Sequence, residues 1–131
     1  MESLPRSSIS VAVEVASDRE PVTCDGVLTQ SKEGFALEFF VGNDKFIITH
    51  GVASTRIAAA GDMSYDIELK ASDTETVLST PFGMVRFTVK TLLREVTSSD
   101  EGIKIVLKYI LASDAAGEIE RTVDLAVRFL S

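Results

Sequence analysis

The sequence predicts an all-β protein, and the preferred architecture is a single antiparallel up-and-down β-barrel of about eight strands. Long stretches alternate apolar and polar residues with the period of two typical of a half-buried strand, above all 84–96, 103–111 and 119–129. Short turn sequences recur roughly every 8–14 residues. No segment has the spacing of a convincing amphipathic helix. A two-sheet sandwich is the alternative, but sequential hairpins favour a barrel, whose closure removes unpaired strand edges.

The first third of the chain predicts three strands. Residues 9–15 alternate β-branched residues with small or polar ones, and Pro21 marks the turn that follows, because proline cannot donate a ladder hydrogen bond. Asp25 and Gly26 form either a tight turn or, as we prefer, a bulge at Gly26 within one long, bent second strand. Residues 35–41 form the third strand, and Gly42-Asn43-Asp44-Lys45 has the composition of a hairpin turn.

The middle of the chain predicts shorter strands. Residues 46–50 form one, and His50 ends its apolar row beside Gly51. The segment 52–60 is ambiguous, because Ala58-Ala59-Ala60 favours a helix by propensity. Since it lies between two glycines, a strand of small residues fits better. Residues 65–70 and the Thr-rich 74–80 complete this region, so that the segments number about eight to ten in all.

The last third contains the clearest strands. Pro81 and Gly83 predict a corner at Thr80-Pro81-Phe82-Gly83. In the strand that follows, Val85, Phe87, Val89, Thr91 and Leu93 are predicted to point inward, with Arg94 pointing outward. The rows beginning at Ile103 and Ile119 form the final two strands, and Tyr109 and Arg121 lie in phase with their apolar residues.

Composition excludes several classes of protein. A chain of 131 residues fits a single domain, 1–131, that is large enough for a stable core. The net charge of −7 argues against nucleic acid and against an anionic membrane surface as the main partner. The single cysteine cannot form an intramolecular disulfide, and the chain starts with no apolar leader segment. We therefore expect a cytoplasmic protein.

Several motifs resemble those of a known family. Thr80-Pro81-Phe82-Gly83 is followed at once by a long alternating strand, and Asp100-Glu101-Gly102 precedes the strand 103–109. With Asp25-Gly26 after the first strand, these features resemble the YwiB-like family of bacterial proteins. The resemblance implies a calycin (lipocalin-like) barrel and carries over no activity and no catalytic residues. The chain departs from the family at 56–60, where the family is richer in threonine.

The inventory of catalytic residues is small. Cys24 and His50 are the only thiol and the only imidazole, and Cys24 shares its phase with apolar neighbours, as a buried structural cysteine does. The sequence contains no Gly-rich phosphate loop and no G-x-S-x-G motif. One histidine with scattered carboxylates does not make a transition-metal site. We therefore expect no cofactor, no metal and, more simply, no enzymatic activity.

Polar residues on the inward rows are the candidates for a ligand site. An inward arginine is costly in a small barrel unless it meets a carboxylate, a carbonyl or a bound anion. Arg121 therefore either lies near a barrel mouth and reaches solvent, or pairs with Glu95 on the same predicted phase, or anchors an anionic ligand. In the last case Tyr109 and His50 are expected as further polar contacts around a small, partly apolar molecule.

A second hypothesis is a structural or protein-interaction module with a filled core. It rests on apolar residues predicted to face outward, where a barrel exterior normally alternates more cleanly. A cluster of them would form an interface, most simply that of a homodimer. These residues are Phe40, Ile47, Leu92, Val106 and Ile110. An enzyme acting on a small anionic substrate in the barrel mouth is a third, less favoured hypothesis.

Overall fold

The computed structural model describes residues 7–16, 20–62, 64–115 and 117–130, with Ser7 described by its backbone alone. Within these residues the chain forms ten strands and no helix. Residues 1–6 and most of the turn expected before Pro21 lie outside the described residues. The strands are β1 (Ser7–Val15), β2 (Val22–Ser31), β3 (Gly34–Val41), β4 (Asp44–Gly51), β5 (Ser54–Ala60), β6 (Tyr65–Lys70), β7 (Thr74–Thr80), β8 (Gly83–Ser98), β9 (Gly102–Ser113) and β10 (Gly117–Phe129).

The ten strands form one antiparallel sheet in the order β6-β5-β4-β3-β2-β1-β10-β9-β8-β7. Successive strands pair as hairpins, and β1 pairs with β10, so the sheet curls into a nearly closed up-and-down barrel. The expectation of about eight strands was too low. The difference lies in the middle of the chain, where β5, β6 and β7 are only 7, 6 and 7 residues long and each still makes its own pairing. The strand prediction for the alanine-rich segment is confirmed by β5.

The barrel closes between β6 and β7 through a seam with little backbone pairing. One backbone bridge joins Ser64 and Ser79, with N–O distances of 3.0 and 2.9 Å. Further along, the hydroxyls of Thr74 and Thr76 donate to two carbonyls of β6, at 2.6 and 2.8 Å. Side-chain hydroxyls therefore satisfy carbonyl groups that strand pairing would otherwise satisfy.

Strict alternation places the apolar rows inside the barrel. Ile105 and Leu107 are fully buried on the inner face of β9, whereas Lys104 on its outer face is exposed, as the period of two predicts. The innermost side chains come from eight of the ten strands and fill the middle of the barrel. They are Val11, Val13, Leu28, Leu37, Ile48, Leu69, Val89, Ile105, Leu107 and Leu125.

Gly26 does not form the expected bulge. The register between β1 and β2 is unbroken from Ser7–Gln30 to Val15–Val22. A Cβ at Gly26 would lie 2.9 Å from Val13 Cγ2 and 3.0 Å from the Glu38 carbonyl oxygen. The glycine is therefore required by the close approach of neighbouring strands rather than by a kink.

A bulge occurs instead in β8, where the register with β9 shifts between Thr91 and Leu93. The extra residue reverses the phase of the rest of the strand. Arg94, predicted to face outward, pairs with the inward-facing position of Leu107, while Glu95 is exposed on the outer face. Of the alternatives for Arg121, the one in which it pairs with Glu95 is therefore contradicted.

No helix long and apolar enough to cross a bilayer occurs among the described residues.

Candidate functional site

The polar inward residues lie at two different ends of the barrel, and each end is defined by the hairpin turns located there. The turns after β1, β3, β5, β7 and β9 lie at one end, which we call the Arg121 end. The turns after β2, β4, β6 and β8 lie at the other, which we call the His50 end. The middle of the barrel between them is filled by buried side chains.

The Arg121 end contains an apolar cavity of about 250 Å³, which we call the Arg121 cavity. Its inner wall is formed by side chains that are almost completely buried, such as Ile48 and Ile57. The rings of Phe39 and Phe46 stack beside it, with centroids 5.5 Å apart and an interplanar angle of 20°. The cavity is lined by Val15, Ala16, Phe39, Val41, Phe46, Ile48, Ile57, Tyr65, Tyr109, Arg121, Thr122, Val123, Asp124 and Leu125.

A smaller cavity of about 100 Å³ lies behind the seam between β6 and β7. Ile67 of β6 and Thr76 of β7 form its seam side. It shares three lining residues with the Arg121 cavity, namely Tyr65, Tyr109 and Arg121. These three polar side chains therefore stand between two apolar spaces.

The mouth of the Arg121 cavity follows from unequal strand lengths. β1 pairs with β10 only from Leu125 to Phe129, so no strand of the described residues pairs with the first half of β10 on that side. Thr122 and Asp124 of β10 line the opening opposite Ala16. The Arg121 side chain lies at this unpaired stretch and is exposed to solvent.

The electrostatics of the three polar residues favour a ligand that carries negative charge. Burial, with a smaller effect of Tyr65, raises the pKa of Tyr109 to about 12, although the Arg121 charge and a hydrogen bond from Arg121 act in the opposite direction. Burial also raises the pKa of Tyr65, and Arg121 again opposes the shift. Both phenols are therefore neutral donors at neutral pH. No carboxylate of the described residues lies within ion-pair distance of Arg121.

The His50 end holds a different cluster, formed by Arg94, Thr55 and His50. The Arg94 guanidinium donates to Thr55 Oγ1 at 3.0 Å and to the carbonyls of Gly51 and Val52 at 3.1 and 3.0 Å. His50 Nδ1 lies 2.7 Å from the same hydroxyl of Thr55, which is fully buried. Burial and, secondarily, the Arg94 charge lower the pKa of His50. In the neutral imidazole, Nδ1 can accept the hydroxyl hydrogen while Thr55 accepts from Arg94.

The three residues proposed for ligand binding do not lie together. Tyr109 and Arg121 are directly opposite each other on β9 and β10 and line the same cavity. His50 is at the other end, in register with Phe35 and Thr55, and its ring packs 5.4 Å from that of Phe35.

Sequence reasoning missed two important residues. Tyr65 is in phase with Ile67 and Leu69, so the alternation of β6 already placed it inside, although its neighbours in space were not apparent. Arg94 could not be found, because no sequence signal locates the β8 bulge that turns it inward.

Cys24 and His50 do not form a nucleophilic pair. Cys24 pairs with Val13 near one end of β2, whereas His50 is level with Gln30 at the other end. Burial raises the pKa of the Cys24 thiol, with Asp25 adding to the shift, which disfavours a thiolate. Within the described ranges, no group of three or more potential metal-ligating side chains lies close enough to hold a metal ion.

The outward-facing apolar residues form two groups rather than one cluster. Phe40 and Ile47 lie on β3 and β4, while Leu92, Val106 and Ile110 lie on β8 and β9. Three strands, β2, β1 and β10, separate β3 from β9 in the sheet order. The two groups therefore lie on opposite sides of the barrel.

The fold and the cavity together define a class of protein, a ten-stranded, nearly closed antiparallel β-barrel with an internal cavity at one end. Among solved structures, the chain is similar to the YwiB protein from Bacillus subtilis, with a TM-score of 0.72 and 12% sequence identity over 96% of this chain and 94% of that one. The likeness shows a YwiB-like fold. No protein-family model matches the chain, and no curated protein does.

Proposed function

We propose that this protein binds a small, partly apolar ligand in the Arg121 cavity and catalyses no reaction on it. The observation that carries the proposal is the composition of the cavity, an apolar interior with one exposed guanidinium and two tyrosines at its polar side. Ligand sites are typically apolar clefts with a few convergent polar groups that fix the orientation of the ligand.

Arg121 and Tyr109, both expected from the sequence, act in this proposal with Tyr65 as a further polar contact. Arg121 lies directly opposite Tyr109, and its N–H groups are available to a ligand because no described carboxylate pairs with it. His50, the third residue expected from the sequence, is assigned a structural role at the other end, where Thr55 satisfies its Nδ1.

The proposal extends to the family and the cellular location. We propose that the chain is a YwiB-like bacterial protein with a calycin fold, that it acts in the cytoplasm and that 1–131 is one domain. The fold likeness supports the family assignment together with Thr80-Pro81-Phe82-Gly83 and the strand that follows it. The single cysteine fits a reducing compartment.

A titration with a neutral ring compound tests the proposed function. We expect 3-phenylpropan-1-ol to shift the NMR signals of Phe46 and Ile57, whose side chains line the cavity. Val15→Phe, or Val41→Phe if the first variant unfolds, fills the cavity and should abolish these shifts. Val52→Phe, at an exposed position of the other end, should leave them unchanged. Shifts confined to the His50 end, or unaffected by cavity filling, would overturn the proposal.

The interaction-module hypothesis is tested by the oligomeric state. One of the two outward apolar groups is formed by Leu92, Val106 and Ile110, and Leu92 is 52% exposed. A homodimer in native mass spectrometry that Leu92→Glu dissociates would favour this alternative. A monomer that retains a small molecule, released by Val15→Phe, would favour the binding function.

A further inference from the structure

The geometry points to a compact aromatic monocarboxylate, a planar ring on a short chain that ends in one carboxylate, as the class of ligand for the Arg121 cavity. The inference rests on the proposed function and adds the size, shape and charge of the ligand. Each property is carried by a different observation.

The size of the ligand follows from the volume of the cavity and from what closes it. Drug-sized ligands occupy pockets of roughly 300–1,000 Å³, whereas an apolar cavity of about 150 Å³ accommodates benzene. The Arg121 cavity, at about 250 Å³, lies between these values and fits a ring with a short side chain. Ile48, Ile57 and Leu125 form its floor at 1, 3 and 1% exposure. A long alkyl chain would have to displace the packed middle of the barrel, which protein interiors resist.

The shape of the ligand follows from the aromatic wall. The rings of Phe39 and Phe46 stack with an interplanar angle of 20°, so their planes are nearly parallel along one side of the cavity. Aromatic rings in offset-stacked or edge-to-face contact gain free energy beyond the contribution of the apolar area that they bury. A planar ring therefore fits this wall better than a branched or flexible aliphatic group of equal volume.

The charge of the ligand follows from the groups around the mouth. Arg121 is the single cation among the residues that line the cavity, and its guanidinium matches the geometry of one carboxylate. Tyr65 and Tyr109 beside it are neutral donors. Asp44 is close enough to Tyr65 to raise its pKa, whereas Asp124 at the mouth is paired with Lys104 Nζ at 2.9 Å. Arg121 can neutralise one negative charge and Asp44 disfavours a second, so the site discriminates against dianions such as a phosphomonoester.

Isothermal titration calorimetry with four probes tests the inference on the full chain. The probes are 3-phenylpropanoate, its neutral amide 3-phenylpropanamide, the dianion phenyl phosphate and the long-chain dodecanoate. We expect the ring carboxylate to bind roughly tenfold or more tightly than the amide, because a charge-assisted hydrogen bond to Arg121 is formed only by the former. Phenyl phosphate and dodecanoate should bind more weakly than 3-phenylpropanoate.

Matched arginine variants test whether a preference for carboxylate over amide arises at Arg121. Arg121→Gln should remove the preference for carboxylate over amide while the amide still binds. Arg128→Gln changes an exposed arginine of the same strand at the other end and should leave the preference intact. A preference that survives Arg121→Gln, equal binding of carboxylate and amide, or tighter binding of phenyl phosphate or dodecanoate would overturn the assigned ligand class while leaving cavity binding in place. If neither 3-phenylpropanoate nor 3-phenylpropanamide binds, the result would instead contradict the proposed function itself.

Discussion

Two arginines lie on the inward rows of the barrel, and their partners differ. Arg94 donates to one hydroxyl and two carbonyls that the protein itself supplies. Arg121 lies opposite Tyr109 and has no carboxylate partner among the described residues. A charged group near an apolar interior must be satisfied by the protein, by water or by a ligand. Arg94 is therefore structural, and Arg121 is the residue with donors left for a ligand.

Arg94 is expected to contribute strongly to stability. Arg94→Gln cannot make all three hydrogen bonds and leaves acceptors at the β4–β5 turn without a charged donor, so we expect a loss of about 2–3 kcal/mol. Arg94→Lys should recover part of this loss, because an ammonium lacks the planar geometry of the guanidinium. Urea unfolding measures the change, with Arg128→Gln as the exposed control. An equally small effect in both Gln variants would contradict the assigned role.

His50 should make stability depend on pH. Its pKa is lowered in the folded state by burial and by Arg94, from an unfolded value of 6.5. The unfolded chain therefore binds the proton more readily, and stability present above the unfolded pKa is lost as the pH falls toward the folded pKa. We expect the urea midpoint to decrease from about pH 7.5 to about pH 5.5 and to decrease less in His50→Gln. Parallel pH profiles for the two proteins would refute this.

At the level of elements, the bulge in β8 determines that Arg94 faces the interior of the barrel at the His50 end. Before the shift, Thr91 is opposite Tyr109; after it, Arg94 is opposite Leu107. Uninterrupted alternation would have placed Leu93 inside and Arg94 in water. One extra residue therefore exchanges the two faces for the rest of the strand and supplies the guanidinium that ties β8 to the β4–β5 turn.

Cysteine labelling can test the phase of this segment. In a Cys24→Ser background, Glu95→Cys should react rapidly with iodoacetamide, because this position is on the outer face. Val96→Cys, opposite Ile105 on the inner face, should react roughly tenfold or more slowly, since reaction requires local opening. The reverse order of rates would mean that the strand alternates without a bulge.

At the level of the whole molecule, the barrel is closed unequally around its circumference. Ladders of backbone hydrogen bonds join nine pairs of neighbouring strands, whereas the seam between β6 and β7 has one backbone bridge and two threonine hydroxyls. The smaller cavity lies directly behind this seam. The seam is therefore expected to open at lower free energy than the rest of the wall.

Hydrogen exchange with a seam variant tests this expectation. Amides of β6 and β7 should exchange faster than those of β9. Thr76→Val preserves shape but removes the hydroxyl that donates to the Asp66 carbonyl at 2.8 Å, so we expect a loss of about 1–3 kcal/mol and a further increase in exchange at the seam. Thr88→Val, on the outer side of β8, is the control. Uniform exchange across all strands would show that the seam is no weaker than the ladders.

Much of the barrel was predictable because one local rule governs it. Alternation identified the inward rows of β9 and β10, and with them Tyr109 and Arg121 of the candidate site. The rule fails where the backbone departs from regular pairing. Neither the bulge in β8 nor the regular passage of β2 through Gly26 is encoded in the apolar pattern.

By itself, the sequence determined the strand character of the chain and the inside and outside of most strands, because side chains of an extended backbone alternate at every residue. The tertiary structure decided the number of strands in the nearly closed barrel, the separation of His50 from Arg121 and the placement of Tyr65 and Tyr109 at the same cavity. These depend on register and closure, in which residues distant along the chain meet, and no local pattern of polarity specifies such meetings.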